Sequence, residues 1–391
     1  MRKFLSIFLV VMLLTTGCSL IGQKASKDDE PIIPAAVDSV GQEVNANASA
    51  ADSSAVAANS ETAGNSTVSS SAVIENSEDL FSNNILLDNG TGKGVSANIN
   101  DKSSVLITLY YRDKEGLLIP VTRSVSKQEG LAKAAISGLI DQAVTREQLD
   151  YYGLYPVLPQ GTKIRGMTIK NGSAVIDFSK EFTNLNSKEE EQLAVTSVVY
   201  TLTGFNTIKD VSIRIDGRDV KNLNNGTDIS GKMNRENTFI NSKETSLKEG
   251  YIKCDLYYMT TCKDQYNYML PVSTLIQKPD DNQLPALMFA ELSKKPAGDN
   301  LYTTFPEGSR LLSFSIEDDL AVLDFSSQLT NYGGNEKENI LLNQIYYTIN
   351  QLRGISKAKI LIDGKEITMP EGSEVAFART LPTTVNSVID N

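Results

Sequence analysis

The chain repeats itself once, over a long distance. "LPQGTKI" (Leu158 to Ile164) returns as "FPEGSRL" (Phe305 to Leu311), and "AVIDFS" (Ala174 to Ser179) returns as "AVLDFS" (Ala321 to Ser326). "VSIRIDGRDV" (Val211 to Val220) returns as "AKILIDGKEI" (Ala358 to Ile367). Pro159 and Pro306, Ala174 and Ala321, and Asp216 and Asp363 all stand 147 residues apart, so no gap falls between these anchors. Solenoid units run to about 20–50 residues. A period this long therefore describes two whole domains of one fold. Upstream, "LYY" recurs at Leu109 and Leu256 with the same spacing, but "IPV" at Ile119 meets "LPV" at Leu270 after 151 residues. The second copy thus carries an insertion of four residues in its first hairpin, compensated by a deletion before Pro306.

Each copy reads strand, strand, helix, strand, strand, helix, strand, which makes the chain an α+β protein of two tandem small domains. In the first copy, Val105 to Tyr111 and Leu117 to Val125 are β-rich runs around the turn "RDKEG". Ser126 and Glu129 have the spacing of a capping box, and Leu131, Ala134, Ala135 and Leu139 follow at helical intervals. Asn171-Gly172 marks a two-residue hairpin. Ser187 with Glu190 is a second capping box, ahead of the apolar stripe Ala194, Val198, Leu202 and Phe205. Asn335 with Glu338 fills that capping role in the second copy, and Asp216-Gly217 and Asp363-Gly364 are matching tight turns. The domains are placed at 105–242 and 251–381, with the polar stretch 222–250 closing the first and leading into the second.

The alternation of "AVIDFS" puts Ala174, Ile176 and Phe178 on the core face, and Ala321, Leu323 and Phe325 match them. Asp177 and Asp324 then point away. A catalytic carboxylate pair must flank one substrate at about 5–10 Å, and these two sit in separate domains. Both are read as acceptors for backbone N–H groups of a nearby turn.

The N-terminus has a different character. Arg2 and Lys3 precede an apolar run from Phe4 to Leu14, too short to span a membrane, and Thr15-Thr16-Gly17-Cys18 follows. Residues 1–17 are read as a lipoprotein signal peptide, with Cys18 lipidated and becoming the mature N-terminus. From 18 to 101 the chain is rich in Ser, Ala and Asn, has too little apolar surface to offset ordering entropy, and is expected to be a disordered linker. Ile85-Leu86-Leu87 is read as a stray apolar patch within it, with a docking segment as the alternative. Loss of Arg2 and Lys3 moves the formal charge from −11 to −13. Nucleic acid and anionic lipid would repel such a chain, so acyl groups rather than charge must hold it at a membrane.

The chain contains no His. That removes Ser-His-Asp and Cys-His catalysis, His-ligated zinc and the usual general base near neutral pH. No catalytic residue, metal site or cofactor is assigned. Beyond Cys18, the remaining cysteines are Cys254 and Cys262. A disulfide across a hairpin and a pair of buried free thiols are both open. Tyr is concentrated at Tyr110-Tyr111, at Tyr151, Tyr152 and Tyr155, and at Tyr257, Tyr258, Tyr266 and Tyr268. A surface that stacks sugar rings, and so holds the protein to peptidoglycan, is the alternative function these rings offer.

Two tandem copies of "LYY", "LPxGTxI", "AVIDFS" and "IDG", behind a lipoprotein signal and a polar linker, resemble the GerM family of sporulation and germination lipoproteins, each copy a GerMN domain. The resemblance implies a non-enzymatic, lipid-anchored protein on the extracytoplasmic face of the cell membrane. It implies protein partners in the channel linking mother cell and forespore, a part in spore cortex formation, and a fold similar to ring-building modules that pack side by side. No cofactor is expected, since no motif for one stands out, and no nucleic-acid partner is expected of so acidic a chain.

Overall fold

The computed structural model describes residues 85–87, 104–279, 283–296 and 298–390, all within one compact unit, Ser71–Asn391. The signal peptide, Cys18 and the linker other than 85–87 lie outside the described residues.

In chain order the elements are β1 (Ile85–Leu87), β2 (Ser104–Arg112), β3 (Leu118–Ser126), α1 (Leu131–Ser137), α2 (Ala143–Asp150), β4 (Ile164–Lys170), β5 (Ser173–Phe178), α3 (Lys188–Leu202), β6 (Asp210–Ile215) and β7 (Arg218–Asp219). The second set is β8 (Tyr251–Cys262), β9 (Tyr266–Gln277), α4 (Leu284–Leu292), β10 (Leu311–Glu317), β11 (Leu320–Phe325), α5 (Asn335–Ile349), β12 (Lys357–Ile362), β13 (Arg379–Thr380) and β14 (Val388–Asp390). The chain is therefore α+β, with two matching sets of sheet and helix. Each set has a hairpin, β2–β3 or β8–β9, and a four-stranded sheet ordered β4-β5-β6-β7 or β10-β11-β12-β13. The parallel pair β5–β6 is joined through α3, and β11–β12 through α5, as crossover connections require.

Local chemistry explains the turns. Asn171 (φ 53°) and Gly172 (φ 82°) take the left-handed conformation that a two-residue hairpin needs. Asp216-Gly217 and Asp363-Gly364 do the same. The side chain of Ser187 accepts the N–H of Glu190 at 3.2 Å and caps α3. Ala174, Ile176 and Phe178 are fully buried, as are Ala321, Leu323 and Phe325.

Four features differ from the sequence reading. Ser126 caps nothing: it is still paired with Ser104 in the β2–β3 ladder, and α1 starts only after Gly130, whose φ of 77° turns the chain. Asn335 is the first residue of α5 rather than its cap, which is Gly334, and Glu338 is buried for another purpose described below. The short helix α2 has no counterpart in the second set. Ile85–Leu87 is not a stray patch: it forms β1 and pairs antiparallel with β14.

The insertion in the second hairpin has a structural use. β8 and β9 are 12 residues long, against 9 for β2 and β3. The extra length carries Cys262, Tyr266 and Tyr268 into the hydrophobic core of the first domain. Leu117, at the tip of the first hairpin, packs in return against the core of the second.

Candidate functional site

Four repeated acids are bound to backbone within their own domains. Asp177 accepts the N–H of Gly217 at 2.8 Å, and Asp324 accepts that of Gly364 at 2.8 Å. Each stands at the end of a core strand and fixes the tight turn beyond the neighbouring one, as expected of a turn acceptor. Glu191 and Glu338, also 147 residues apart and fully buried, are the pair that sequence reasoning missed. Glu191 takes the N–H groups of Asn225 and Thr227 at 2.6 and 3.0 Å, and Glu338 takes those of Glu371 and Ser373 at 2.8 and 3.0 Å. Burial pushes the Glu338 carboxyl up, but hydrogen bonds from Ser373, Tyr332 and Glu371 outweigh it and hold the pKa below the usual range. Both acids looked like ordinary members of a helix's first turn. Their identical placement in the two copies was the available signal.

The edges of β2 and β8 are also satisfied in duplicate. Thr201 and Ser197 on α3 meet the N–H and C=O of Tyr110 at 3.3 and 2.6 Å. Thr348 and Gln344 on α5 meet those of Tyr257 at 3.4 and 2.8 Å. Polar residues inside these helices thus do the work of a missing strand.

The seam between the domains is reciprocal. The tail of the first domain runs to the hairpin of the second: Ser273 donates its N–H to Ile240 O at 2.9 Å, and Ile240 donates its own to Ser273 Oγ at 2.9 Å. The tail of the second domain does the same to the first, with Thr122 N–H on Val385 O at 3.2 Å and Val385 N–H on Thr122 Oγ at 3.1 Å. Asn241 bonds the N–H and C=O of Leu118 and reaches across to Pro271 O at 2.9 Å. Asn386 bonds those of Met269 and reaches back to Pro120 O at 2.7 Å. Reciprocity of this kind is the mark of an isologous, two-fold interface, here between two halves of one chain.

The two ends of that seam differ in charge. At one end Lys253 and Asp255 pair at 2.7 Å with only 4% and 14% of their side chains exposed. Tyr200 donates to Asp255 at 2.8 Å, Lys253 donates to Arg235 O at 2.7 Å, and the Arg235 guanidinium lies 4.9 Å from the Tyr200 ring centre. Burial, and then the Asp255 charge, push the Tyr200 phenol well above its ordinary value. At the other end Leu106 and Thr108 occupy the positions equivalent to Lys253 and Asp255, and the Thr108 hydroxyl bonds that of Thr122 at 2.8 Å.

Cys254 and Cys262 do not form a disulfide; both are free thiols. They stand on one strand, and eight residue steps along it separate them by about 26 Å, against a Cα separation of at most about 7 Å for a disulfide. Cys254 sits in the second core and Cys262 in the first. Burial pushes each thiol up to about 12, so neither is reactive. Among the described residues no group of three or more Cys, Asp or Glu could hold a metal ion, and no helix is long and apolar enough to cross a membrane. The tyrosines mostly face inward: Tyr110, Tyr111, Tyr152, Tyr258, Tyr266 and Tyr268 are buried, while Tyr151 is exposed and stacks edge-on against Tyr152. Among the described residues, β4 and β10 are edge strands, each paired on one side only, as are the two-residue strands β7 and β13 at the other ends of the sheets.

The sequence model of the Germane family, described as sporulation and spore germination, matches residues 108–221 and 255–368, one stretch in each domain. The chain is 30% identical over 294 residues to the spore germination protein GerM of Bacillus subtilis (strain 168), covering 73% of this chain and 79% of that protein. The solved structure of the tandem GerMN domains of the sporulation protein GerM from Bacillus subtilis superposes with a TM-score of 0.63 at 30% identity, covering 72% of this chain and 99% of that one. With the repeat, the topology and both matched stretches in agreement, this chain belongs to the GerM family of sporulation and spore-germination proteins and carries two tandem GerMN domains.

Proposed function

We propose that the protein is a non-catalytic assembly component, held by a lipid on Cys18 at the extracytoplasmic face of the membrane. There it would support the complex that links mother cell and forespore, and through it cortex formation. One observation carries the reading: four of the acids the repeat duplicates, Asp177, Asp324, Glu191 and Glu338, hold backbone N–H groups of their own domains. Chemistry that needs a free carboxylate has none of these to use. The seam occupies the hairpins, so partners would meet the outer helices and sheet edges. A peptidoglycan-binding reading has little to rest on, since of the Tyr151, Tyr152 and Tyr266 rings only Tyr151 is open to solvent. Native mass measurement and co-purification from membranes of sporulating cells test the proposal. The expected result is a complex with membrane proteins of the developing spore; a monomer that brings nothing with it would overturn the proposal.

A further inference from the structure

The duplication places the same edge strand on the surface twice, and the two copies have diverged in opposite directions. β10 reads Leu311-Leu312-Ser313-Phe314-Ser315-Ile316-Glu317, and β4 reads Ile164-Arg165-Gly166-Met167-Thr168-Ile169-Lys170. Both strands are unpaired on their outer side, and each carries a bulge near its start. An exposed apolar edge is a template for another strand unless charge or irregularity blocks it.

In β10, Leu312, Phe314 and Ile316 alternate onto one face; Leu312 and Ile316 are 48% and 47% exposed. The two-residue turn Asp318-Asp319 sets the hydrogen-bonding parity. Glu317 pairs with Leu320 directly beside the turn, so Glu317 and Ser315 face β11, and Phe314 and Ile316 direct their N–H and C=O groups out of the sheet.

We propose that β10 pairs antiparallel with β10 of a second copy of this chain, about a two-fold axis at Phe314. In that register each exposed Leu312 meets Ile316 of the other copy. The ladder ends at the bulge before Ser313 and at the Asp318 turn, and there the exposed side chain of Arg310 lies at each end beside Glu317 and Asp318 of the other copy. Opposite charges and apolar side chains facing across a ladder both stabilise it. Arg310, Glu317 and Asp318 are exposed, and among the described residues no ion pair engages them.

The same operation on β4 fails. Arg165 stands where Leu312 does, Lys163 where Arg310 does, and Lys170 and Asn171 where Glu317 and Asp318 do. Two copies of β4 would bring Lys163 to Asn171, with Lys170 of the other copy beside it, at both ends and set Arg165 against Ile169. The first domain's edge is protected and the second's is self-complementary, so association stops at a two-fold dimer instead of propagating.

This deepens the assembly reading by naming one partner, and it can fail alone. The test is sedimentation and native mass of the full chain in detergent, with circular dichroism to confirm folding. The expected species is a dimer. Arg310→Asp or Ile316→Lys weakens it by roughly tenfold or more. Adding Glu317→Lys and Asp318→Lys to Arg310→Asp restores it, and Ile169→Lys leaves it unchanged. A wild-type monomer at high concentration overturns the proposal, as does equal disruption by Ile169→Lys and Ile316→Lys, or failure of the charge reversal to restore pairing. If those variants still co-purify with membrane partners, the assembly reading stands without the dimer.

Discussion

The Nδ2 group of Asn241 donates to the carbonyl of Pro271 at 2.9 Å, tying the end of the first domain to the hairpin of the second. Asn386 makes the mirror contact to Pro120. Both asparagines hold left-handed backbone, with φ of 51° and 47°. Ala at either position loses three hydrogen bonds, one of them across the seam, and strains a conformation Asn tolerates, for a cost of about 2–4 kcal/mol. Asn241→Gly and Asn386→Gly relieve the strain and isolate the lost bonds. Urea denaturation should show similar losses at both sites, because the two side chains do the same job. A loss confined to one site would break the two-fold equivalence.

Glu191 and Glu338 each satisfy two backbone N–H groups in a loop that would otherwise bury them unpaired. Replacement by Ala should cost about 3–5 kcal/mol. Gln should cost nearly as much, since its amide presents a donor to one of those donors. Glu189, in the same turn of α3 but on its solvent side, should change stability by less than about 0.5 kcal/mol when replaced by Gln. Thermal melts of the three variants separate a buried clamp from a generic first-turn acid.

The repeat made much of this fold legible. Strand alternation identified the Ala174–Phe178 core face, and spacing between copies identified the Asp177 and Asp324 turns. What stayed hidden depends on contacts distant in sequence. Thr122 and Val385 are 263 residues apart, and no local pattern announces their bond. A signal existed all the same: "TFINS" (Thr238 to Ser242) and "TTVNS" (Thr383 to Ser387) are the two exchanged tails. A domain boundary at Leu381 leaves the second tail out, although its hydrogen bonds run to the first hairpin. Of the two states left open for Cys254 and Cys262, the structure has the buried free thiols, because both stand on the single strand Tyr251–Cys262 and one strand cannot fold back to join two of its own residues.

Lys253 and Asp255 make a further prediction, because the other end of the seam shows what the site looks like without them. Lys253→Met leaves the Asp255 charge buried against Ser273 and Tyr200 alone and should cost about 3–5 kcal/mol. The double change Lys253→Leu with Asp255→Thr copies the residues at Leu106 and Thr108. It should cost far less than the single change, and its stability should approach or exceed wild type. A double-mutant cycle by denaturation measures the difference. A double variant as unstable as Lys253→Met would mean that Arg235 also depends on this acid.

The pH dependence of stability should be flat at neutrality and fall at both extremes. With no His in the chain, imidazole titration contributes nothing between pH 6 and 8. On the alkaline side, burial raises the phenols of Tyr200, Tyr257, Tyr258, Tyr268 and Tyr347, and that of Tyr266 to about 12. A group whose folded value lies above its unfolded one, about 10 for Tyr, contributes stability that is whole below that pH and is lost as pH rises through the folded value. On the acid side, the depressed Glu338 works in the opposite sense. Its contribution is present above about pH 4.3 and is lost as pH falls through its folded value. Melting temperature measured across pH, with phenolate absorbance followed in parallel, should show ionisation of the buried phenols and unfolding arriving together above about pH 10. Ionisation of the buried phenols, beyond the signal of exposed rings such as Tyr151 and Tyr251, well before unfolding would mean those rings are open to solvent, and the packed seam that Tyr200 and Tyr268 help to build would be wrong.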